Sequence, residues 1–527
     1  MKINMPKPGF GIFGGCLAVC GLVYGIFWEA IFNKILQKTI SLHPDSSIFE
    51  MWRAPPAKAT VDFYFFNWTN PQDFYNTSVK PKLQEVGPYR FFEVSDKVNI
   101  SWHPENGTVS YTKRSFYYFD EEGSRGPLSD TVVSINVVPL MAAQKISKWH
   151  FFQRKMAAMA LNIYENNLVV TSTVDQMLFK GHEDIFLNAA YNAQNMLKEV
   201  LPFDKFGYAY LRNGSTEFWG SYNVYTGVND FSNIGQVHTW NFKHQTDRYD
   251  SHCGTVSGAA GEYQPPNLKV NSTISYYIPD ICRNFPLDYT ESLEMNGVSS
   301  FKYVAGSRAL DNGTLYPENK CYCVGECIPS GVMNIAHCWF DIPIHFSFPH
   351  FYNADPSYLR AVEGLAPKKE DHEMFVILDR RTGFLQQLAG RLQLNLLVEP
   401  LAEFRFLKNA PHIIFPIVWI DYKILVPHEI IWMLQLLPIL YTAGKAAAYI
   451  SVSVGVAMII CHLRARFSLK NRHATFDPVY DQQALYEAKK QLNAAGAGAG
   501  AADSSPLLEE VKSSSTLQNY VQRNSYG

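Results

Sequence analysis

Two apolar stretches, one near each end, constrain this chain more than any other feature. The first, GFGIFGGCLAVCGLVYGIFW over 9–28, carries no charge. It has the roughly 20 residues that a helix needs to cross a hydrocarbon core. Lys2 and Lys7 precede it. The second lies between Ile430 and His462 and contains one charge, Lys445. A lysine at mid-membrane costs about 3 kcal/mol on an insertion scale. The span is therefore placed at 441–461, where Lys445 can snorkel to the outer interface. The residues 430–440 then form a membrane-proximal apolar segment. Arg464, Arg466, Lys470 and Arg472 follow at once. The positive-inside bias puts 1–8 and 462–527 in the cytosol and 29–440 outside. A cleavable leader ending near Ala18-Val19-Cys20 is the competing reading of the first stretch. The apolar run continues through Tyr24, Ile26, Phe27 and Trp28, which is long for a leader.

Glycosylation sequons and cysteines check that topology independently. Asn-X-Ser/Thr occurs at Asn67, Asn76, Asn99, Asn106, Asn213, Asn271 and Asn312, all between the two spans. Each match alone is weak, but only asparagine on the outer side can be glycosylated. These positions are expected on exposed loops. Of nine cysteines, Cys16, Cys20 and Cys461 belong to the spans. The other six, Cys253, Cys282, Cys321, Cys323, Cys327 and Cys338, read as three disulfides in an oxidising compartment, and sequence alone leaves their pairing open. The rival is a zinc site built from Cys321, Cys323, Cys327, His337 and Cys338. No metal and no cofactor is expected.

Composition narrows the class. Lys plus Arg total 46 and Asp plus Glu total 48, a formal net charge of -2. That excludes nucleic-acid binding by bulk positive charge. Apolar residues at 47 % and aromatics at 14 % supply a large core and exclude global disorder. A slightly negative mean hydropathy excludes a many-helix transporter. Between the spans, Thr60-Val-Asp-Phe-Tyr-Phe-Phe-Asn67, Thr108-Val-Ser-Tyr-Thr112 and Phe116-Tyr-Tyr-Phe119 read as strands. Asn106-Gly107, Asn213-Gly214 and Asn312-Gly313 read as turns. Over 138–200, Met, Ala, Leu, Lys and Gln take over, so a helical cluster is expected there. The fold class is α+β: one large, mostly antiparallel β ectodomain with a helical subdomain, held by two transmembrane helices.

Several ordered segments carry a family resemblance. They are Glu85-Val-Gly-Pro-Tyr-Arg90, Thr173-Val-Asp-Gln-Met-Leu178 with Glu183-Asp184, the cysteine cluster, and Phe348-Pro-His-Phe351 with Ala354-Asp355-Pro356. Arg381-Thr-Gly383, Arg391-Leu-Gln-Leu-Asn395 and Phe415-Pro-Ile-Val-Trp419 complete the series. In this order and spacing the chain resembles the class B scavenger receptors, from the first span to the second. The resemblance implies the pairings Cys253–Cys321, Cys282–Cys338 and Cys323–Cys327. The first two would close loops of roughly 55 to 70 residues, each worth about 4 kcal/mol in the chain-entropy treatment. It also implies a helical apex distant from the bilayer and an apolar tunnel through the ectodomain.

Such a tunnel has a physical rationale. Wetting a lipid tail costs about 0.8 kcal/mol per CH₂, so a palmitate-length chain faces about 12 kcal/mol in water. An apolar conduit lowers that barrier without chemistry or an energy source. The expected capture surface at the apex is basic and aromatic: Lys145, Lys148, His150, Phe151, Phe152, Arg154 and Lys155, with Trp149 among them. Positive charge attracts anionic phospholipid, lipoprotein surfaces and fatty-acid carboxylates. His150 adds a group that titrates toward endosomal pH. The competing reading is an ordinary solvated helix face with its aromatics turned inward.

The C-terminal tail is Ala/Gly-rich over 493–502 and is expected to be disordered. Asp503 then precedes Leu507 and Leu508 at the spacing of an adaptor-binding sorting signal. Clathrin adaptors join lipids, lipoproteins and the membrane as expected partners, and nucleic acid does not. Cys461 is a palmitoylation candidate. No G-x-S-x-G elbow, H-E-x-x-H motif or phosphate loop is present, so no enzyme is expected. The expected function is lipid or lipoprotein binding with transfer of lipid through the tunnel to the plasma membrane, together with uptake of particles or apoptotic cells; the alternative is an endosomal or lysosomal receptor for a soluble lumenal protein.

Overall fold

The computed structural model describes residues 9–57, 59–164, 168–192, 203–261, 263–323, 325–474, 486–491 and 493. Contacts divide the chain into two units, one containing 9–27 and 444–474 and the other 28–443.

The first unit is a helix pair. Helix α1 (Gly9–Ile40) and the C-terminal helix His428–Ala474 are both long and apolar enough to cross a membrane. Within this unit they meet through small residues. A Cβ on Gly455 would lie 2.5 Å from Gly14 O and 2.6 Å from Ala18 N, and one on Gly21 would lie 2.8 Å from Ser451 Cβ. In lipid no hydrophobic effect drives helices together, so close backbone approach at small residues supplies the attraction.

Both helices run beyond the spans expected at 9–28 and 441–461. Phe32, Leu36 and Ile40 are buried at a four-residue spacing, one stripe of a helix. Ile430 and Leu434 bury in the same way, so the apolar segment 430–440 is helical and partly packed. Leu36, Ile40, Ile430 and Leu434 share a core with Ile48, with Trp52 of the short helix α2 (Phe49–Arg53), and with Tyr111 and Tyr222. Trp28 Nε1 donates to Tyr441 O at 2.9 Å, and the Arg381 guanidinium lies 3.9 Å from the centroid of the Tyr441 ring.

The rest of the second unit is built on a 13-stranded antiparallel sheet. The strands that matter for function are β1 (Ala59–Trp68), β2 (Leu83–His103), β3 (Thr108–Asp120), β4 (Thr131–Ile135), β5 (Val169–Thr173), β6 (Ser221–Tyr225), β7 (Val237–Trp240), β8 (Thr273–Ile278), β9 (Arg283–Met295), β10 (Val298–Val304), β11 (Val332–Asn334), β12 (Ile344–Ser347), β13 (Phe375–Asp379), β14 (Leu385–Val398) and β15 (Ile413–Leu425). Their order is β7-β6-β3-β2-β1-β15-β14-β13-β10-β9-β8, with β12 also on β14 and β11 on β12. The first and last long strands, β1 and β15, therefore pair at the centre. The runs 108–112 and 116–119 are one continuous strand, β3. Buried Phe63, Phe65, Phe66, Phe91 and Phe415 belong to the larger core.

The region 138–200 departs in part from a helical cluster. Helices α3 (Val137–Ser147), α4 (Phe151–Tyr164) and α5 (Ile185–Asn192) are present, α3 being capped by Asn136 Oδ1 on Val138 N–H. Between them β5 pairs with β4. The reason is local: Val169-Val-Thr-Ser-Thr173 is rich in β-branched residues, which favour a strand over a helix.

Six cysteines are bonded as Cys253–Cys321, Cys282–Cys338 and Cys323–Cys327. A disulfide sulfur is no thiolate, so these cysteines are not available as zinc ligands. His252 beside Cys253 and Cys321 is a disulfide neighbour, and His337 pairs with Asp341. Five sequon asparagines, Asn76, Asn99, Asn106, Asn213 and Asn271, are exposed. Asn67 and Asn312 depart from that expectation and are half-buried. Asn67 Oδ1 accepts Val133 N–H, and Asn312 Nδ2 donates to Ile328 O. Their side chains tie strand β1 to β4 and one turn to the disulfide loop.

Candidate functional site

Two places in the second unit gather the residues singled out above. The first is a polar seam across β2, β1, β15 and β14. Register sets Arg90 opposite Asp62, Asp62 opposite Asp421, and Asp421 opposite Arg391. Two aspartates facing each other repel. Lys423 resolves this by placing Nζ 3.0 Å from Asp62 Oδ2 and 2.9 Å from Asp421 Oδ2. Arg90 closes on Asp62 from the other side with Nε at 2.6 Å and Nη2 at 2.9 Å. Asp62 is completely buried. Burial pulls its carboxyl upward, but the hydrogen bonds from Arg90 and Lys423 outweigh that and hold it below the usual carboxylate range.

Next to this ladder, three quoted segments converge on one carboxylate. Glu85 Oε2 accepts from His350 Nε2 at 2.6 Å and from Trp419 Nε1 at 2.7 Å. His350 Nδ1 accepts Ala366 N–H at 3.1 Å, which fixes the proton on Nε2. His372 stacks on His350 at 4.4 Å, and its Nδ1 accepts Lys368 N–H at 2.9 Å. Trp419 in turn stacks on Tyr64 at 4.0 Å. Desolvation, and next the unfavourable neighbourhood of the His350 ring, pushes His372 down to about 4. Burial raises the Glu85 carboxyl, but hydrogen bonds from His350 and Trp419 bring it below its ordinary value. Gln393 Oε1 accepts His350 N–H and Gln393 Nε2 donates to Asn395 Oδ1, so the Arg391–Asn395 segment is tied in as well. Asp62, Asp421, Glu85 and His350 all find partners inside the protein, so the seam holds strands together.

The second place is α4. The expected patch is there, but the structure changes its charge. Lys148 and His150 are exposed. Arg154 and Lys155 both pair with Glu403, Nε at 3.0 Å and Nζ at 3.1 Å from the same Oε1. The basic cluster is free of acid only along the sequence; in space a glutamate some 250 positions away sits on two of its cations. Lys145 is half-buried. The backbone of 403–405 is fastened to α4 through Asn162, whose Nδ2 donates to Glu403 O and whose Oδ1 accepts Arg405 N–H.

The apolar side of the patch is larger than expected. Trp149 packs on the core, and Ala158 and Leu161 are buried. Phe151 and Phe152 point outward, 58 % and 81 % exposed. Met156, Met159 and Ile163 continue the stripe at 72 %, 64 % and 65 %. From Phe152 their spacing is four, seven and eleven, one helix face. The inward-aromatic reading therefore fails at Phe151 and Phe152. Met156, Met159 and Ile163 carry a sequence signal of their own, the period of 3.6, which the charged residues around them overlay. Glu403 carried no sequence signal at all.

A cavity of about 30 Å³ lies among Arg283, Tyr322 and Met333. That is room for about two or three waters and does not fit an acyl chain. Asp503, Leu507 and Leu508 lie outside the described residues.

Comparison with known proteins bears on the whole architecture. Residues 12–465 match the CD36 family. Protein peste of Drosophila melanogaster is 38 % identical over 492 residues, covering 92 % of this chain and 87 % of that protein. Scavenger receptor class B member 1 of Bos taurus is 31 % identical over 414 residues, covering 78 % and 79 %. Lysosome membrane protein 2 of Rattus norvegicus is 31 % identical over 412 residues, covering 77 % and 83 %.

Proposed function

The chain belongs to the CD36 family, and from that premise we propose that it is a class B scavenger receptor that captures lipid or lipoprotein ligands on helix α4 and passes lipid to its membrane. One observation carries the capture step: the outward stripe of Phe151, Phe152, Met156, Met159 and Ile163. Apolar side chains this exposed along one helix face mark an interaction surface. Lys148 lies at its start, with His150 exposed beside it, and supplies positive charge for anionic headgroups. Methionines adapt to ligands of varied shape, which suits a receptor for mixed lipid surfaces.

The test is Phe152→Asp with Met156→Asp in cells expressing the full chain. Binding of labelled anionic liposomes or lipoprotein falls at least about tenfold, while surface abundance and thermal stability stay near wild type, because exposed positions away from special contacts shift stability by about 0.5 kcal/mol or less. Unchanged binding removes α4 from the account. Transfer is tested separately, by native mass spectrometry of the purified protein for a retained lipid.

The tail pattern Asp503, Leu507 and Leu508 favours a second reading, a receptor that escorts a soluble protein to lysosomes. Leu507→Ala with Leu508→Ala separates the two. Loss of lysosomal staining together with a co-purifying lumenal protein supports escort. Plasma-membrane residence with intact lipid uptake supports transfer.

A further inference from the structure

Arg283 begins β9 directly after Cys282, and it is 2 % exposed. A guanidinium stays charged throughout the physiological range. Buried charges are normally paired, because leaving water costs several kcal/mol per ion. Among the described residues no carboxylate pairs with Arg283. Its Nε donates to Asn284 O at 3.1 Å, and its Nη1 faces Met333 Sδ at 3.1 Å, a weak acceptor. The guanidinium carbon lies 3.3 Å from the centroid of the Tyr322 ring. Burial lowers its affinity for its proton, and only Tyr322 and Tyr249 oppose that.

The same side chain lines the small cavity, together with Asp311, Tyr322, Glu326, Met333 and Asn334. Asp311 is occupied elsewhere: its oxygens accept the N–H groups of Gly313, Leu315 and Tyr316 and the Ser330 hydroxyl. Glu326 is exposed on the Cys323–Cys327 loop. Asn334 Oδ1 accepts Ala336 N–H at 2.9 Å, which leaves the Asn334 NH₂ as a donor. Arg283 also hydrogen-bonds the Tyr322 side chain, which is neutral. The cavity therefore combines a buried cation that has no carboxylate partner among the described residues with one amide donor in about 30 Å³.

We infer that this cavity is a binding site for a monatomic halide, chloride under physiological conditions, held by the Arg283 guanidinium and the Asn334 amide. A water could satisfy the donors but not the charge. An acyl chain does not fit a space that holds about two or three waters, and the carboxylates of Asp311 and Glu326 in the same lining disfavour an anion of more than one charge. Cys282–Cys338 and Cys323–Cys327 both reach this region, since Cys282 precedes Arg283 and Cys323 lines the cavity. A bound halide would thus stabilise the disulfide-bonded part of the ectodomain.

The test is thermal unfolding of the full chain in nanodiscs, in gluconate, chloride or bromide salts at one ionic strength and neutral pH. The expected result is a Tm about 2 °C higher in halide, reached along a saturating curve, with the dependence reduced in Asn334→Ala and absent in Arg283→Gln. Crystals of the protein soaked in bromide should show an anomalous peak within hydrogen-bond reach of the Arg283 guanidinium. Arg283→Gln alters a buried position and can fail to fold, so the wild-type salt exchange and the bromide peak decide. A Tm indifferent to halide, a change that is linear without saturation, or no bromide peak in the cavity overturns the site.

Discussion

Strand β1 buries an aspartate completely, whereas helix α4 leaves a phenylalanine 81 % exposed. Each inverts the usual pattern of polar outside and apolar inside, and the reasons differ. Asp62 sits between Arg90 and Lys423, so its charge is compensated and its hydrogen bonds are made within the protein. Among the described residues, nothing covers Phe152, Met156, Met159 and Ile163 to that extent. Their exposure is a standing cost that burial against a ligand would relieve, by about 25 cal/mol for each Å² removed from water. A buried charge that is fully paired reads as architecture. An exposed apolar stripe without a cover reads as a surface that meets something else.

The strongest challenge to this contrast is Asp62→Ala. It leaves Arg90 and Lys423 facing each other without their carboxylate. Removing one partner of a buried pair costs about 3 kcal/mol, at the lower end here because both cations retain some solvent contact. Denaturant unfolding should show that loss. If the seam is architectural, the protein that still folds binds lipid normally. A selective loss of binding with normal stability would turn the seam into a ligand site.

Acidification probes the same region more gently. His372 in the folded protein titrates near 4, below the roughly 6.5 of a free histidine. Its neighbours are His350, Trp419, Glu85, Asp371 and Arg391. The folded state resists protonation that the unfolded state accepts, so this contribution is present above about pH 6.5 and is lost as pH falls toward 4. At pH 5 the loss is about 2 kcal/mol. The depressed Glu85 carboxyl adds a loss of the same sign only below about pH 4.5. Thermal stability measured from pH 7.5 to 5 should fall, and His372→Gln should flatten that slope. A flat wild-type profile would contradict the buried neutral imidazole.

The smallest expected effect sharpens the other side of the comparison. Glu403→Gln removes the carboxylate that pairs with Arg154 and Lys155. Positive potential beside the apolar stripe then rises, and binding of anionic vesicles should increase about twofold at low salt and less at high salt. An unchanged affinity would assign capture to the apolar stripe alone.

Much of the molecule was legible in its sequence, for identifiable reasons. The two helices could be read because a bilayer imposes a length and an absence of charge, and both conditions are local. Strands such as β1 were readable from their short alternating and aromatic runs. The expectation over 138–200 missed β5 because the window was judged by its overall composition, although the β-branched residues of 169–173 were visible. The motif residues Glu85, His350 and Trp419 were quoted as separate segments, and nothing local announced that they share one hydrogen-bonded centre. The same holds for Glu403, whose pairing with α4 changed the meaning of Arg154 and Lys155.

The sequence by itself determined that this chain carries two stretches long and apolar enough to cross a membrane, one on each side of a cysteine-containing, mostly β domain of the scavenger receptor type. Those properties follow from hydrophobic length, charge position and ordered motifs, which are written along the chain. The tertiary structure alone decided which charges are neutralised, which apolar residues stay outside, and where an arginine is buried beside a small cavity. Electrostatic compensation and burial depend on distance in space, and residues hundreds of positions apart set them.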